Sequence, residues 1–212
     1  MARYTVAFLM LLSGAIAATG STASDVENGV CRPITLIFAR GTTEPGNMGT
    51  VVGPPLADGM IQAFGANNVA VQGVNYPADI AGAISGATDP QGATGSKNMA
   101  MFSQKVATAC PSSKVVLSGY SQGAEQVRGA LMNLGAQNNV AAAVTFGDPL
   151  QSTQFVNIAK ANTKVYCNQG DPVCMEMFVI TAAHLAYGTN GDIMSAVNFI
   201  QSVINNSSTT ST

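Results

Sequence analysis

Charge is scarce in this chain of 212 residues, where Asp, Glu, Lys and Arg together make up only 9%. The nine Lys and Arg are outnumbered by 11 acidic residues, so no basic field exists to hold nucleic acid or an anionic membrane surface. So few charges, beside many Ser, Thr, Asn and Gln, point to a surface of uncharged polar groups. Long apolar runs are also missing beyond the N-terminus, so no membrane span is expected. The four cysteines lack the paired C-x2-4-C spacing of a structural zinc site, and no metal or cofactor is expected. Intrinsic disorder is excluded in turn, because 47% hydrophobic residues suffice to bury a sizeable core.

Met1-Ala2-Arg3 supplies a short positive end, Tyr4 to Ala18 is uncharged and mostly apolar, and Ala15-Ile16-Ala17 has the small-x-small pattern that signal peptidase cuts. The run is shorter than the ~20 residues of a spanning helix. Residues 1–17 are therefore read as a signal peptide, 18–204 as one domain, and 205–212 as a frayed polar tail with sequons at Asn205 and Asn206. A secreted, extracellular protein is expected, which makes the cysteines readable as disulfides. Cys167 and Cys174 are the least costly pair to join, leaving Cys31 with Cys110. In a chain-entropy picture the large ring contributes roughly 4.5 kcal/mol and the small one roughly 2.5. The first is a global staple, and the second shapes a loop.

Apolar runs of strand length occur at 34–39, 69–76, 114–118, 141–146 and 163–166, and they are continuous rather than alternating, as in strands covered on both faces. Helices are expected near 49–65, 96–109, 122–135, 152–161 and 189–204. Alternating strands and helices predict an α/β fold with a five-stranded, mostly parallel sheet and helices on both faces.

Gly119-Tyr120-Ser121-Gln122-Gly123 follows a buried strand and opens a helix. That is the setting of a nucleophile elbow, whose sharp turn lifts a serine above the carboxyl end of the sheet. The plainer reading is a strand-to-helix turn in which Ser121 only caps the helix. A serine hydroxyl needs a base, and the single histidine, His184, follows Ser121 in the chain order of α/β-hydrolases. The acid must lie between them, among Glu125, Asp148, Asp171 and Glu176. Glu125 sits one turn into the helix and points away from the serine, and Glu176 has no strand end to position it. Asp148 and Asp171 both follow strands. Asp171, held inside the Cys167–Cys174 ring, is the preferred acid, whereas Asp148 is assigned to capping the helix near 152 or its own turn. An oxyanion hole needs backbone amides. Gln122 offers one, and the loop from Ala39 to Gly46 offers the other, with Thr42 and Thr43 both candidates.

Ala39-Arg40-Gly41-Thr42-Thr43-Glu44, Gly119-Tyr120-Ser121-Gln122-Gly123, Cys167-x-x-Gly170-Asp171-x-x-Cys174 and His184-Leu185-Ala186-Tyr187-Gly188 resemble, in order, the four signature blocks of fungal cutinases. The similarity runs from about Cys31 to about Ile204. It implies a small lidless α/β-hydrolase with Ser121, Asp171 and His184 as its triad. Thr42 and Gln122 would form the oxyanion hole, with threonine where cutinases usually show serine. The stretch from Asn75 to Gly92 looks closer to the cutinase-like and acetylxylan-esterase branches. Phe178, Val179, Ile180 and Leu185 flank His184 on a loop, where they either cover the end of the core or, as the resemblance implies, line an open crevice for acyl chains. The expected activity is that of a monomeric serine esterase cleaving cutin, similar insoluble polyesters or small esters through an acyl-enzyme. An acetylxylan esterase is the nearest rival, and a catalytically silent surface-binding protein is a rival of another class.

Overall fold

The computed structural model describes residues 18–209; the stretch read as a signal peptide lies outside them, as do the last three residues of the tail. Five strands, β1 (Ile34–Ala39), β2 (Val69–Gly73), β3 (Lys114–Tyr120), β4 (Val140–Phe146) and β5 (Thr163–Tyr166), form one sheet in the order β2-β1-β3-β4-β5. Every pairing within it is parallel. One isolated antiparallel bridge, Ser24 to Gln72, leans on its β2 edge.

Continuous apolar strands follow from burial on two sides. Ile34, Leu36 and Phe38 of β1 pack with Leu56 and Met60 of helix α1 (Gly53–Phe64) and Val197 and Ile200 of α5 (Asp192–Thr209). The intervening Ile37 and Ala39 pack on the other face with Met99, Phe102 and Val106 of α3 (Thr94–Ala109) and Val127 and Leu131 of α4 (Gln122–Leu134). The chain thus has helices on both faces, as expected. Disulfides join Cys31 to Cys110 and Cys167 to Cys174. The last helix runs five residues past Ile204, into the sequence expected to fray.

Two elements depart from the expectation. Residues 152–161 are not a helix but a series of bends ending in a 3-10 turn, Lys160–Asn162. Arg128 Nη1 donates to the Thr153 carbonyl at 3.0 Å, and Asn138 Nδ2 donates to the Asn157 carbonyl at 2.9 Å. Asn157 itself has φ 59°, so acceptors that a helix would use internally are taken from outside. Conversely, a short helix unforeseen in the sequence, α2 (Ile80–Thr88), lies over α4. Its glycines lower its intrinsic propensity, yet they are what lets it dock. A Cβ at Gly82 would come within 2.8 Å of Gln122 Nε2, and one at Gly86 within 2.3 Å of Glu125 Oε2. Asp79 caps its start by accepting the Gly82 amide at 2.6 Å.

Candidate active site

The order β2-β1-β3-β4-β5 reverses direction between β1 and β3, which opens a crevice at their carboxyl ends. Ser121 stands there between β3 and α4 with φ 57° and ψ −123°. No L-residue adopts such a backbone without strain, and the surrounding packing enforces it. A Cβ at Gly123 would sit 1.9 Å from the Ala39 carbonyl oxygen, and one at Gly119 would sit 2.1 Å from the Gly123 oxygen. Only glycines let strand, turn and helix approach so closely. The Ser121 side chain makes no capping bond to α4. It faces His184 instead, with Oγ 3.0 Å from Nε2.

His184 arrives on the turns between β5 and α5, and Asp171 on the loop after β5. His184 Nδ1 lies 2.8 Å from Asp171 Oδ2, and each residue is only 2% exposed. Asp171 also accepts the Val173 amide at 3.0 Å and the Tyr187 hydroxyl at 2.6 Å. With the proton on Nδ1, facing the carboxylate, Nε2 is left as an acceptor for the Ser121 hydroxyl. The Tyr120 ring stacks on the imidazole at 5.0 Å, and its hydroxyl donates to the His184 carbonyl at 2.9 Å. Burial pushes the Tyr120 and Tyr187 hydroxyls far above the ordinary tyrosine range. Both remain protonated donors.

Around Ser121, the Thr43 amide is engaged by the Ala78 carbonyl at 2.7 Å. Gln122 opens α4, so its amide has no acceptor within the helix. The Thr42 hydroxyl donates to Gln122 Oε1 at 3.0 Å, tying the β1 loop to the elbow. Arg40 secures that loop from the other side, with Nε on the Glu44 carbonyl at 2.7 Å and Nη2 on the Tyr76 carbonyl at 3.0 Å.

The remaining acidic candidates lie elsewhere, Glu176 being exposed just past the 3-10 turn Pro172–Met175. Asp148 caps no helix near 152, because none forms there. It does accept the Leu150 amide of its own turn at 2.9 Å. Its other oxygen, Oδ2, takes Arg128 Nε at 2.9 Å, Nη2 at 2.8 Å and the Thr145 hydroxyl at 2.8 Å, in a fully buried ion pair. The pairing was not foreseen, since only the fold brings α4 beside the end of β4. Glu125 is fully buried against α2, and neither carboxyl oxygen has a hydrogen-bond partner. Burial, reinforced by the Asp148 charge, raises its pKa to about 9, so it is protonated at neutral pH.

A cavity of about 590 Å³ opens beside Ser121 and His184. Phe178, Ile180 and Leu185 line it, but Val179, 56% exposed, does not. The opposite wall is α2, through Ile80, Ala83 and Ile84. That wall is not among the expectations from the sequence, although the i, i+3, i+4 spacing of those three residues marks one helical face. The described residues contain no group of His, Cys, Asp and Glu that could hold a metal ion. No helix among them is long and apolar enough to cross a membrane.

Residues 30–204 match the cutinase family. A cutinase from Botryotinia fuckeliana is 40% identical over 197 residues, which cover 92% of this chain and 93% of the relative. Among solved structures, a Trichoderma reesei cutinase in complex with a C11Y4 phosphonate inhibitor superposes with a TM-score of 0.78 at 36% identity, covering 87% of this chain and 80% of that one. An acetyl xylan esterase superposes with a TM-score of 0.62 at 25% identity, covering 82% and 99% respectively.

Proposed function

The chain belongs to the cutinase family of carboxylic ester hydrolases, and from that premise we propose that it cleaves cutin or similar polyesters, and short- to medium-chain esters, through Ser121, His184 and Asp171. The observation that carries this reading is the unbroken relay from Ser121 Oγ to His184 Nε2, 3.0 Å, and from Nδ1 to Asp171 Oδ2, 2.8 Å, at the wall of an apolar cavity. His184 takes the proton as Ser121 Oγ attacks the ester carbonyl, and Asp171 stabilises the imidazolium so formed. The same proton passes to the leaving alkoxide as the tetrahedral intermediate collapses to the acyl-enzyme. Water, deprotonated by His184, then attacks the acyl carbon. The proton returns from His184 to Ser121 Oγ as the bond to the acyl group breaks and the acid leaves.

The charge that develops on the carbonyl oxygen falls to the amides of Thr42 and Gln122. Thr43 is a poorer donor, since its amide is already engaged by Ala78. Acyl chains lie between Phe178, Ile180 and Leu185 on one side and Ile80 and Ile84 on the other. These five side chains are 51–68% exposed, which suits an insoluble substrate that cannot thread into a deep pocket. Export as a monomer completes the proposal. The N-terminal run of residues 4–18, with Ala15-Ile16-Ala17 near its end, supports export.

The acetyl xylan esterase likeness favours a second reading, in which acetyl groups on a sugar backbone are the substrate. An apolar cavity far larger than acetate speaks against it. Initial rates on p-nitrophenyl acetate, butyrate and octanoate separate the two: the polyester reading expects butyrate and octanoate to be cleaved at least as well as acetate. A steep fall beyond acetate overturns it. Labelling by a fluorophosphonate at Ser121 is expected, and an unlabelled protein would be the silent surface binder.

A further inference from the structure

Tyr187 is fully buried, three residues beyond His184, and takes no part in the relay or in the cavity wall. Its ring is wedged edge-on against His184, Tyr120 and Phe146, with centroids 6.2, 6.0 and 6.0 Å away. Its hydroxyl accepts the Asn168 amide at 2.9 Å and donates to Asp171 Oδ2 at 2.6 Å. Asp171 Oδ1 is taken by the Val173 amide, so the His184 and Tyr187 donors share the remaining oxygen. We propose that Tyr187 is a positioning residue that sets the pH range of the reaction, by dividing the Asp171 charge between its own hydroxyl and the imidazole.

The effect of Tyr187 is electrostatic, given the triad reading above. A hydrogen bond donated to a carboxylate stabilises its charge and lowers its basicity. Asp171 then holds the imidazolium less tightly than a carboxylate without that donor would. Buried beneath the crevice, the carboxylate has no bulk water to replace the phenol, and in such a site each donor counts for more than it would in water. Burial and the bond to charged Asp171 keep the proton on Tyr187. The other titratable groups facing this cluster are Tyr120 beneath the imidazole, Glu44 on the β1 loop and Asp192 at the start of α5. All three are unchanged when only position 187 is altered.

The test is the pH profile of kcat/KM for Tyr187→Phe and wild type, with active sites counted by fluorophosphonate titration. The acid limb of Tyr187→Phe is expected roughly 0.5–1 pH unit higher, with KM for a butyrate ester unchanged. Phenylalanine also strips the Asn168 amide of its acceptor, so 3,5-difluorotyrosine placed at position 187 alone provides the second variant. It keeps the hydroxyl and the acceptor but is a stronger donor, and its acid limb is expected to lie lower than wild type. Opposite displacements support the proposal. Should Tyr187→Phe fail to fold, the difluorotyrosine limb decides alone, and a limb that coincides with wild type overturns the proposal and leaves Tyr187 a packing residue. A wild-type protein that takes no label overturns the triad reading, and this inference with it.

Discussion

At the scale of single residues, two aspartates with similar places in the sequence do different work because of what the fold puts beside them. Asp171 faces an imidazole and a phenol, whereas Asp148 faces a guanidinium. Replacing Asp171 with Asn leaves the ring of Cys167 and Cys174 intact but removes the charge that orients His184. A loss of roughly 10⁴-fold in kcat is expected, with the folded state kept. Replacing Asp148 with Asn strands the Arg128 charge in a dry site. A cost of about 3–5 kcal/mol in stability is expected, with kcat per folded molecule nearly unchanged. Urea midpoints and kcat on both variants check this pair, and an inactive but stable Asp148→Asn would mean that the acid is misassigned. Acid pH should slow the wild-type reaction as well, since a protonated His184 cannot accept the Ser121 proton.

At the scale of elements, α2 shows how packing overrides propensity. Three glycines between 82 and 92 and the proline at 77 read as loop, yet Gly82 and Gly86 give α2 the close approach to α4 that holds it in place. That docking also seals Glu125 under α2. A carboxyl whose pKa rises from 4.5 to about 9 on folding is protonated in the native state while its unfolded counterpart ionises. The unfolded state therefore binds fewer protons, and stability falls as pH rises between those two values and levels off above the upper one. Glu125→Gln removes this dependence. The stability difference, variant minus wild type, should grow by a few kcal/mol from pH 5 to 9. Thermal midpoints across that range measure it, and a difference that stays constant with pH would show that Glu125 is ionised when folded.

At the scale of the whole molecule, the two disulfides have separable tasks. Cys31–Cys110 ties the entry to β1 to the end of α3. Replacing both with Ser should cost about 2–5 kcal/mol and leave kcat of the folded fraction unchanged. Cys167–Cys174 encloses Asp171, so its loss should lower kcat as well as stability. Full kcat in Cys167→Ser/Cys174→Ser would show that the Tyr187 and Val173 bonds suffice to hold the carboxylate. Local and covalent order were legible in the sequence: strands of continuous apolar residues, the glycine-flanked Ser121, the cysteine pairs, and the single histidine in the right chain order. These depend on near neighbours and on which residue types exist at all. The α2 wall of the crevice, the Arg128–Asp148 pair, the irregular course of residues 152–161, the sealed Glu125 and the phenol on Asp171 were decided only by tertiary structure. Each joins segments far apart in the chain, or turns on an exact approach between them, and neither periodicity nor composition records such distances.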